Sequence, residues 1–231
     1  MIQLAQWDTD NLGLKIGNLH IDGDLQIHKL KKEIAHSVKE GYDLLYLKGV
    51  TLPEDCLSSK LLLADEKVVY AQDIDNNIHT VDPHVVSFLN HELTPALWNL
   101  TLESGWCSRY KTDSNFPPEV FSILYRQWIL KSLNGTIATD VLVYNLDNIP
   151  VGLLTYKKNE EIVDIGLVAV SKDYAGKGIG TKLMKSFLSM FEKGTRVEVA
   201  TQRNNKMACH FYERNGFVVN SISNIYHIWN K

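Results

Sequence analysis

From Val168 to Glu192 the chain passes from an apolar strand, through alternate glycines, directly into an amphipathic helix, and few folds accept that order. The run is Val168-Ala169-Val170-Ser171-Lys172-Asp173-Tyr174-Ala175-Gly176-Lys177-Gly178-Ile179-Gly180, with a helical pattern from Thr181 onward. Such a turn leaves several backbone N–H groups unpaired at the helix start and aims them, with the positive end of the helix dipole, at one place. Glycine suits the turn because a side chain would block the approach of a phosphate or force the backbone out of the needed dihedral range. The chemistry is that of a pyrophosphate cradle, with the charge of Lys177 beside it.

The spacing separates this loop from two other phosphate binders. A dinucleotide fingerprint needs G-x-G-x-x-G, whereas this run is G-x-G-x-G. A Walker loop needs G-x-x-x-x-G-K-[ST], whereas Gly180 is followed by Thr181-Lys182, the reverse order. A second segment follows. Val197 to Thr201 reads as a strand and Asn205 to Arg214 as a short helix, closed by Asn215-Gly216-Phe217 with Gly216 as a left-handed cap.

Together the two segments resemble the acetyl-CoA loop and following helix of the GCN5-related N-acetyltransferases (GNAT). That family's second signature, N-x-x-A-x-x-x-Y-E-x-x-G-F, is met at Asn205, Ala208, Tyr212, Glu213, Gly216 and Phe217. One position departs. Arg or Gln is usual before the first glycine, and Ala175 stands there, which removes a side chain near the CoA phosphates and leaves the backbone amides.

The resemblance implies acetyl-CoA as acyl donor and no metal. It implies contacts from the backbone of Val168, Ala169 and Val170, from the loop Ala175, Gly176, Lys177, Gly178, Ile179, Gly180 and Thr181, and from Asn205. The strand at Val168 to Val170 is expected to splay from its neighbour, so that an N–H there, that of Val168, bonds the thioester oxygen. Tyr212 is implied as the general acid that protonates the departing thiolate. Taken alone, Tyr212 also reads as a core tyrosine and Asn205 as a helix N-cap.

Composition bears on the partners. The chain has 231 residues, a formal net charge of -3, 45% hydrophobic residues and no run of basic residues interleaved with aromatics, so nucleic acid is not an expected partner. No apolar run reaches membrane-spanning length and the start lacks a signal-peptide pattern. Three scattered cysteines, Cys56, Cys107 and Cys209, suit reduced thiols in a cytoplasm. The eight histidines lack the close pairing of a metal site.

The expected architecture is α/β: a GNAT fold with a mixed central sheet over residues 89–231, preceded by a smaller acetyltransferase-like α/β domain over 1–88. In the first part, strands are expected at Leu12 to Ile21, Tyr42 to Leu47, Lys60 to Leu63 and Lys67 to Ala71. A helix is expected from Leu25 to Glu40, and a linker from Asp73 to His84. In the second, a loop-rich stretch from Ser104 to Pro118 precedes a helix from Glu119 to Leu133. A hairpin then turns at Asp147-Asn148, between strands at Asp140 to Tyr144 and Val151 to Lys157, and leads to a strand from Ile162 to Val170. The last strand, Ile222 to Trp229, is expected at a sheet edge, where it would invite a second copy.

Ser108 to Phe116, Tyr125, Trp128, Val199 to Gln202 and Ile225 to Trp229 resemble the acetyltransferases that act on dTDP-fucosamine, and imply a dTDP-linked 4-amino-4,6-dideoxy sugar as acceptor. Arg109 and Lys111 would meet the diphosphate and Phe116 a sugar or base; solvated loop charges and a packing phenylalanine are the plainer readings. Asp164, Asp113 and Glu103 are candidates to assist proton removal, whereas His210 and His227 read as structural. Other acceptors, such as a polyamine, an amino acid, a drug or a protein N-terminus, and a CoA-binding module without catalysis, are the rival readings.

Overall fold

A computed structural model describes residues 2–20, 26–75, 81–160 and 162–230. Along the chain the elements are β1 (Ile2–Leu4), α1 (Gln6–Leu12), β2 (Ile16–Leu19), α2 (Ile27–Lys39), β3 (Leu44–Lys48), β4 (Leu61–Asp73) and β5 (Val85–Ser87). They continue with α3 (Pro95–Ser104), α4 (Arg109–Thr112), α5 (Val120–Leu133), β6 (Asp140–Leu146), β7 (Ile149–Lys158) and β8 (Ile162–Val170). Last come α6 (Ile179–Leu188), β9 (Arg196–Gln202), α7 (Lys206–Arg214) and β10 (Val218–Trp229). Two compact units form: residues 1–67, 108–123 and 222–231, and residues 68–107 and 124–221.

The first unit is α/β with a mixed sheet. β1 is antiparallel to β2, β2 is parallel to β3, and β3 is antiparallel to β10 through Ile225 to Trp229. Ile16, Leu44, Tyr46, Phe116, Val120 and Trp229 form one buried cluster, and Leu19, Leu30, Leu45, Leu47, Leu52, Tyr226 and Ile228 another. With both faces of the sheet covered, Ile225 to Trp229 are buried without alternation.

That pairing corrects the reading of the last strand. β10 is flanked by β3 and β4, so Ile225 to Trp229 present no free edge. Burial at every position from Ile225 to Trp229, His227 included, marks a strand covered on both faces, not one awaiting a partner. Two boundaries also differ. The segment expected as a strand from Leu12 begins as the end of α1, which Gly13 closes at φ 65°, and β2 starts only at Ile16; Ile21 lies outside the described residues. The two short strands expected between Lys60 and Ala71 are one, β4, because Asp65 and Glu66 continue the ladder instead of interrupting it.

α2 occupies the expected place and ends before Gly41 at φ 74°, while Leu25 lies outside the described residues. The middle of the expected linker, residues 76–80, also lies outside them.

The second unit carries the strand–loop–helix run. Its strands β5 to β8 are successively antiparallel, and β9 is parallel to β8. The turn between β6 and β7 is made by Asp147 and Asn148 at φ 49° and 65°, the mirror-image turn that matches strand twist. α3, unread in the sequence, is capped by Thr94, whose Oγ1 accepts the Leu97 N–H at 3.2 Å, with Pro95 in the first turn. α6 buries Ile179, Leu183, Met184, Phe187 and Leu188, and its core joins Leu154, Val163, Ile165, Val197, Val199, Tyr212 and Phe217.

Candidate active site

The site is built on an incomplete ladder. Among the described residues β8 pairs with β9 from Ile162 opposite Arg196 to Ile165 opposite Val199, and there the pairing ends. Both strands continue, β8 to Val170 and β9 to Gln202, so backbone groups on facing sides of the two strands are left without a sheet partner. On its other side β8 stays paired to β7, from Val168 opposite Leu154 to Val170 opposite Gly152. The opening coincides with a register shift: Thr155 stands opposite the two residues Gly166 and Leu167. Leu167 donates its backbone N–H to Thr155 Oγ1 at 2.8 Å. A lone glycine inside an apolar strand pattern is the sequence mark of such a bulge, and Gly166 carries it.

The glycine loop follows at the end of that strand. Gly176 and Gly178 both lie at φ 75°, and an added Cβ would meet nothing within 4 Å at either, so it is backbone conformation that calls for glycine there. Gly178 caps α6 without a side chain, which leaves the first-turn N–H groups aimed outward. Gly180 serves packing. A Cβ there would stand 3.0 Å from Phe211 Cε2 and 3.4 Å from Val170 Cγ2, so the missing side chain lets α6, α7 and the end of β8 converge.

The nearby cations are engaged locally. Lys177 donates to the Asp173 carbonyl at 3.2 Å and lies 4.5 Å from the Tyr174 ring centroid. Lys182 lies 3.4 Å from Tyr144 Oη and 3.5 Å from Asp82 Oδ2. The backbone N–H of Asp82 donates to Ser186 Oγ at 2.9 Å, which ties α6 to the residues ahead of β5.

Asn205 is an N-cap, its Oδ1 accepting the Ala208 N–H at 3.1 Å. Tyr212 lies on the buried face of α7, 5% exposed, with the rings of Phe211, Tyr70 and Phe217 at 5.4, 5.7 and 5.9 Å. Burial holds its phenol well above the ordinary tyrosine range, so the hydroxyl keeps its proton. Among the described residues no group of three or more His, Cys, Asp or Glu side chains gathers to hold a metal, and no helix is long and apolar enough to cross a membrane.

Arg109, Lys111 and Phe116 belong to the other compact unit. Arg109 is no solvated loop charge. Its guanidinium sits between the rings of Tyr46 and Tyr110, 4.7 and 4.6 Å from their centroids, and Nη2 donates to Tyr110 Oη at 2.6 Å. Tyr110 in turn donates to Asp8 Oδ2 at 3.1 Å. Burial works against the charge of Arg109, but Tyr110, Tyr46, Asp8 and Asp65 outweigh it and raise the guanidinium pKa further. Lys111 is exposed, 5.4 Å from the Phe121 ring centroid. Phe116 is 5% exposed, its ring held by Tyr110, His227 and Trp229.

Comparison with known proteins decides the family. A model of the acetyltransferase (GNAT) family matches residues 102–217, half of the chain. The chain belongs to the GNAT family of acetyltransferases. It is 28% identical over 138 residues to the spore coat polysaccharide biosynthesis protein SpsD of Bacillus subtilis (strain 168), covering 59% of this chain and 47% of SpsD. It thus spans about half the length of that relative.

Among solved structures it is similar to a conserved protein of unknown function from Staphylococcus epidermidis, with a TM-score of 0.64 at 13% identity over 94% of this chain and 84% of the other. It is also similar to a GCN5-related N-acetyltransferase from Sphaerobacter thermophilus, with a TM-score of 0.59 at 12% identity over 98% and 74%. At such identities the likeness is one of fold.

Proposed function

We propose that this acetyltransferase transfers the acetyl group of acetyl-CoA to the amine of a nucleotide-linked amino-dideoxy sugar, by direct attack, in cytoplasmic synthesis of a surface polysaccharide. The observation that carries the donor half is the ladder that stops at Ile165, next to a left-handed glycine loop feeding the start of α6. The residues fit the donor: unpaired strand backbone suits the amides of a pantetheine arm, and the capless helix start suits a pyrophosphate. On this reading Val168, Ala169 and Val170 line the arm, and Ala175 to Thr181 cradle the phosphates. The chemistry supplied by acetyl-CoA is an activated thioester.

The chain's own residues supply the rest. The Val168 N–H stabilises negative charge on the thioester oxygen. Tyr212 donates its proton to the sulfur as the C–S bond breaks, while the attacking amine loses a proton to solvent or to a base. The raised pKa of the phenol is compatible with this role, because a thiolate emerging in the same buried surroundings is raised as well. Asn205 holds the α7 start in place. Arg109 and Lys111 offer two cations to a diphosphate, with Phe116 packed behind Arg109's neighbour Tyr110. The acceptor class is supported by the short motifs around these residues and by the polysaccharide pathway in which SpsD is named. The division into a partial acetyltransferase-like part, residues 1–88, and a catalytic part, residues 89–231, belongs to the same proposal.

The test is thiol release from acetyl-CoA across dTDP-linked 4-amino and 3-amino sugars, polyamines and amino acids, with Tyr212→Phe alongside. Release with a dTDP-amino sugar, reduced at least about a hundredfold in Tyr212→Phe while acetyl-CoA still binds, is the expected outcome. Release with another amine alone would replace the acceptor, and full activity in Tyr212→Phe would remove the assigned acid.

A further inference from the structure

The opening between β8 and β9 begins where Thr155 faces two residues instead of one, and that side chain is wholly buried, at 1% exposure. Strand amides alternate sides, so an inserted residue leaves one N–H out of phase with the ladder. Here that amide is Leu167's, in a buried residue, and the Thr155 hydroxyl oxygen takes it at 2.8 Å. Gly166 completes the arrangement: a Cβ at that position would stand 2.7 Å from Thr155 Oγ1 and 3.8 Å from Trp128 Nε1. A hydroxyl on β7 and a missing side chain on β8 therefore hold one defined bulge, immediately ahead of the backbone assigned above to the thioester.

We propose that Thr155 is a positioning residue for acetyl transfer: its hydroxyl fixes the Gly166–Leu167 bulge, and the bulge sets the direction in which the Val168 N–H leaves the strand. The inference rests on the reading of the opening as the acetyl-CoA site. Its specific content is discrimination at the acyl group. A merely structural threonine would weaken acetyl-CoA and free CoA alike. A residue that aims the amide at the thioester oxygen acts on acetyl-CoA alone, because free CoA lacks that oxygen.

Calorimetry with acetyl-CoA and with CoA, on the wild type, Thr155→Val and Thr155→Ser, tests it. The wild type is expected to bind acetyl-CoA more tightly than CoA, and equal affinities would overturn the positioning role. In Thr155→Val, which keeps shape and loses the acceptor, acetyl-CoA affinity falls about tenfold, the equivalent of one hydrogen bond, and CoA affinity stays within about twofold. Thr155→Ser restores the preference. If Thr155→Val does not fold, Gly166→Ala reads the same device, since its Cβ must push the hydroxyl off Leu167, and the same selective loss is expected. Equal loss of both ligands, or loss of neither, overturns the positioning role. A wild type that binds neither ligand overturns the acetyl-CoA reading itself, a result distinct from the other two.

Discussion

Nδ1 of His227 lies 2.6 Å from Oδ2 of Asp113, and both side chains are almost wholly buried, at 0% and 1% exposure. The same carboxylate oxygen accepts Trp229 Nε1–H at 2.9 Å, while Oδ1 accepts the Asn115 backbone N–H at 2.9 Å. Burial alone would raise the Asp113 pKa, but the bonds from His227, Asn115 and Trp229 bring it down to about 2, from an ordinary 3.8. Burial lowers His227 from its ordinary 6.5, against the pull of Asp113. The pair is therefore a neutral imidazole, Nδ1–H toward a carboxylate.

A pH dependence follows with a definite sign. Both folded-state values lie below the unfolded ones, so each group contributes stability at neutral pH that is lost on acidification. His227 begins to withdraw its share below pH 6.5, and Asp113 withdraws its share from pH 3.8 down to about 2. Asp113→Asn should lose about 2–4 kcal/mol at pH 7 in chemical denaturation, because a buried imidazole N–H loses its charged acceptor. Its stability should then fall less steeply than that of the wild type between pH 4 and pH 2. An unchanged acid limb would show that the carboxylate does not titrate as described.

Gly178→Ala isolates backbone conformation from contact, since nothing lies within 4 Å of the added Cβ while φ is 75°. The left-handed residue should cost about 1 kcal/mol in thermal stability. If the loop holds the phosphates as proposed, acetyl-CoA affinity should fall further than stability alone accounts for, and calorimetry on the folded variant reads that excess.

Asn205 carries two possible duties that substitution separates. Asn205→Ala removes the cap on Ala208 and should cost about 1 kcal/mol, whereas Asn205→Asp keeps an acceptor and should nearly preserve stability. If the residue also faces the anionic donor, the aspartate variant should bind acetyl-CoA more weakly at full stability. Affinity that tracks stability in both variants would reduce Asn205 to a cap.

Gly105 and Tyr125 leave no room for error. A Cβ at Gly105 would stand 2.1 Å from Tyr125 Cζ, and Tyr125 is itself 5% exposed. Gly105→Ala should cost about 3 kcal/mol or more, and Tyr125→Leu in the same chain should recover part of it. Additive losses in the denaturation of the double variant would show that the ring moves freely away.

Where the information was local, the sequence was a sound guide. Ile162 to Val170 reads as a strand end to end, Asp147-Asn148 announces its turn, and Asn205 and Gly216 mark the limits of α7, since each signal lies within a few residues of what it controls. α1 escaped because a seven-residue helix has too little periodicity to stand against the alternation that follows it. β10 was misplaced because an apolar run does not say which strands flank it.

The surroundings of Arg109 were not legible in the sequence. Tyr46, one half of its aromatic sandwich, comes from β3, far away in sequence. Thr155 gave no signal at all, since a threonine in a β-strand is unremarkable until the residue opposite it is known, and only Gly166 hinted at what it faces.

The ladder that stops at Ile165 has a consequence for how the protein lasts as well as for what it does. A sheet that parts in its interior has two additional edges there, each with backbone groups that water satisfies less well than a strand does. A linear ligand rich in amides, laid in that gap, acts as a substitute strand and closes the sheet. On the proposed reading, the donor is thus part of the fold's cohesion. Resistance to heat and proteolysis should rise with donor concentration, by about 2.7 kcal/mol at one hundred times the dissociation constant, so that the amount of intact enzyme would follow the supply of the group it transfers.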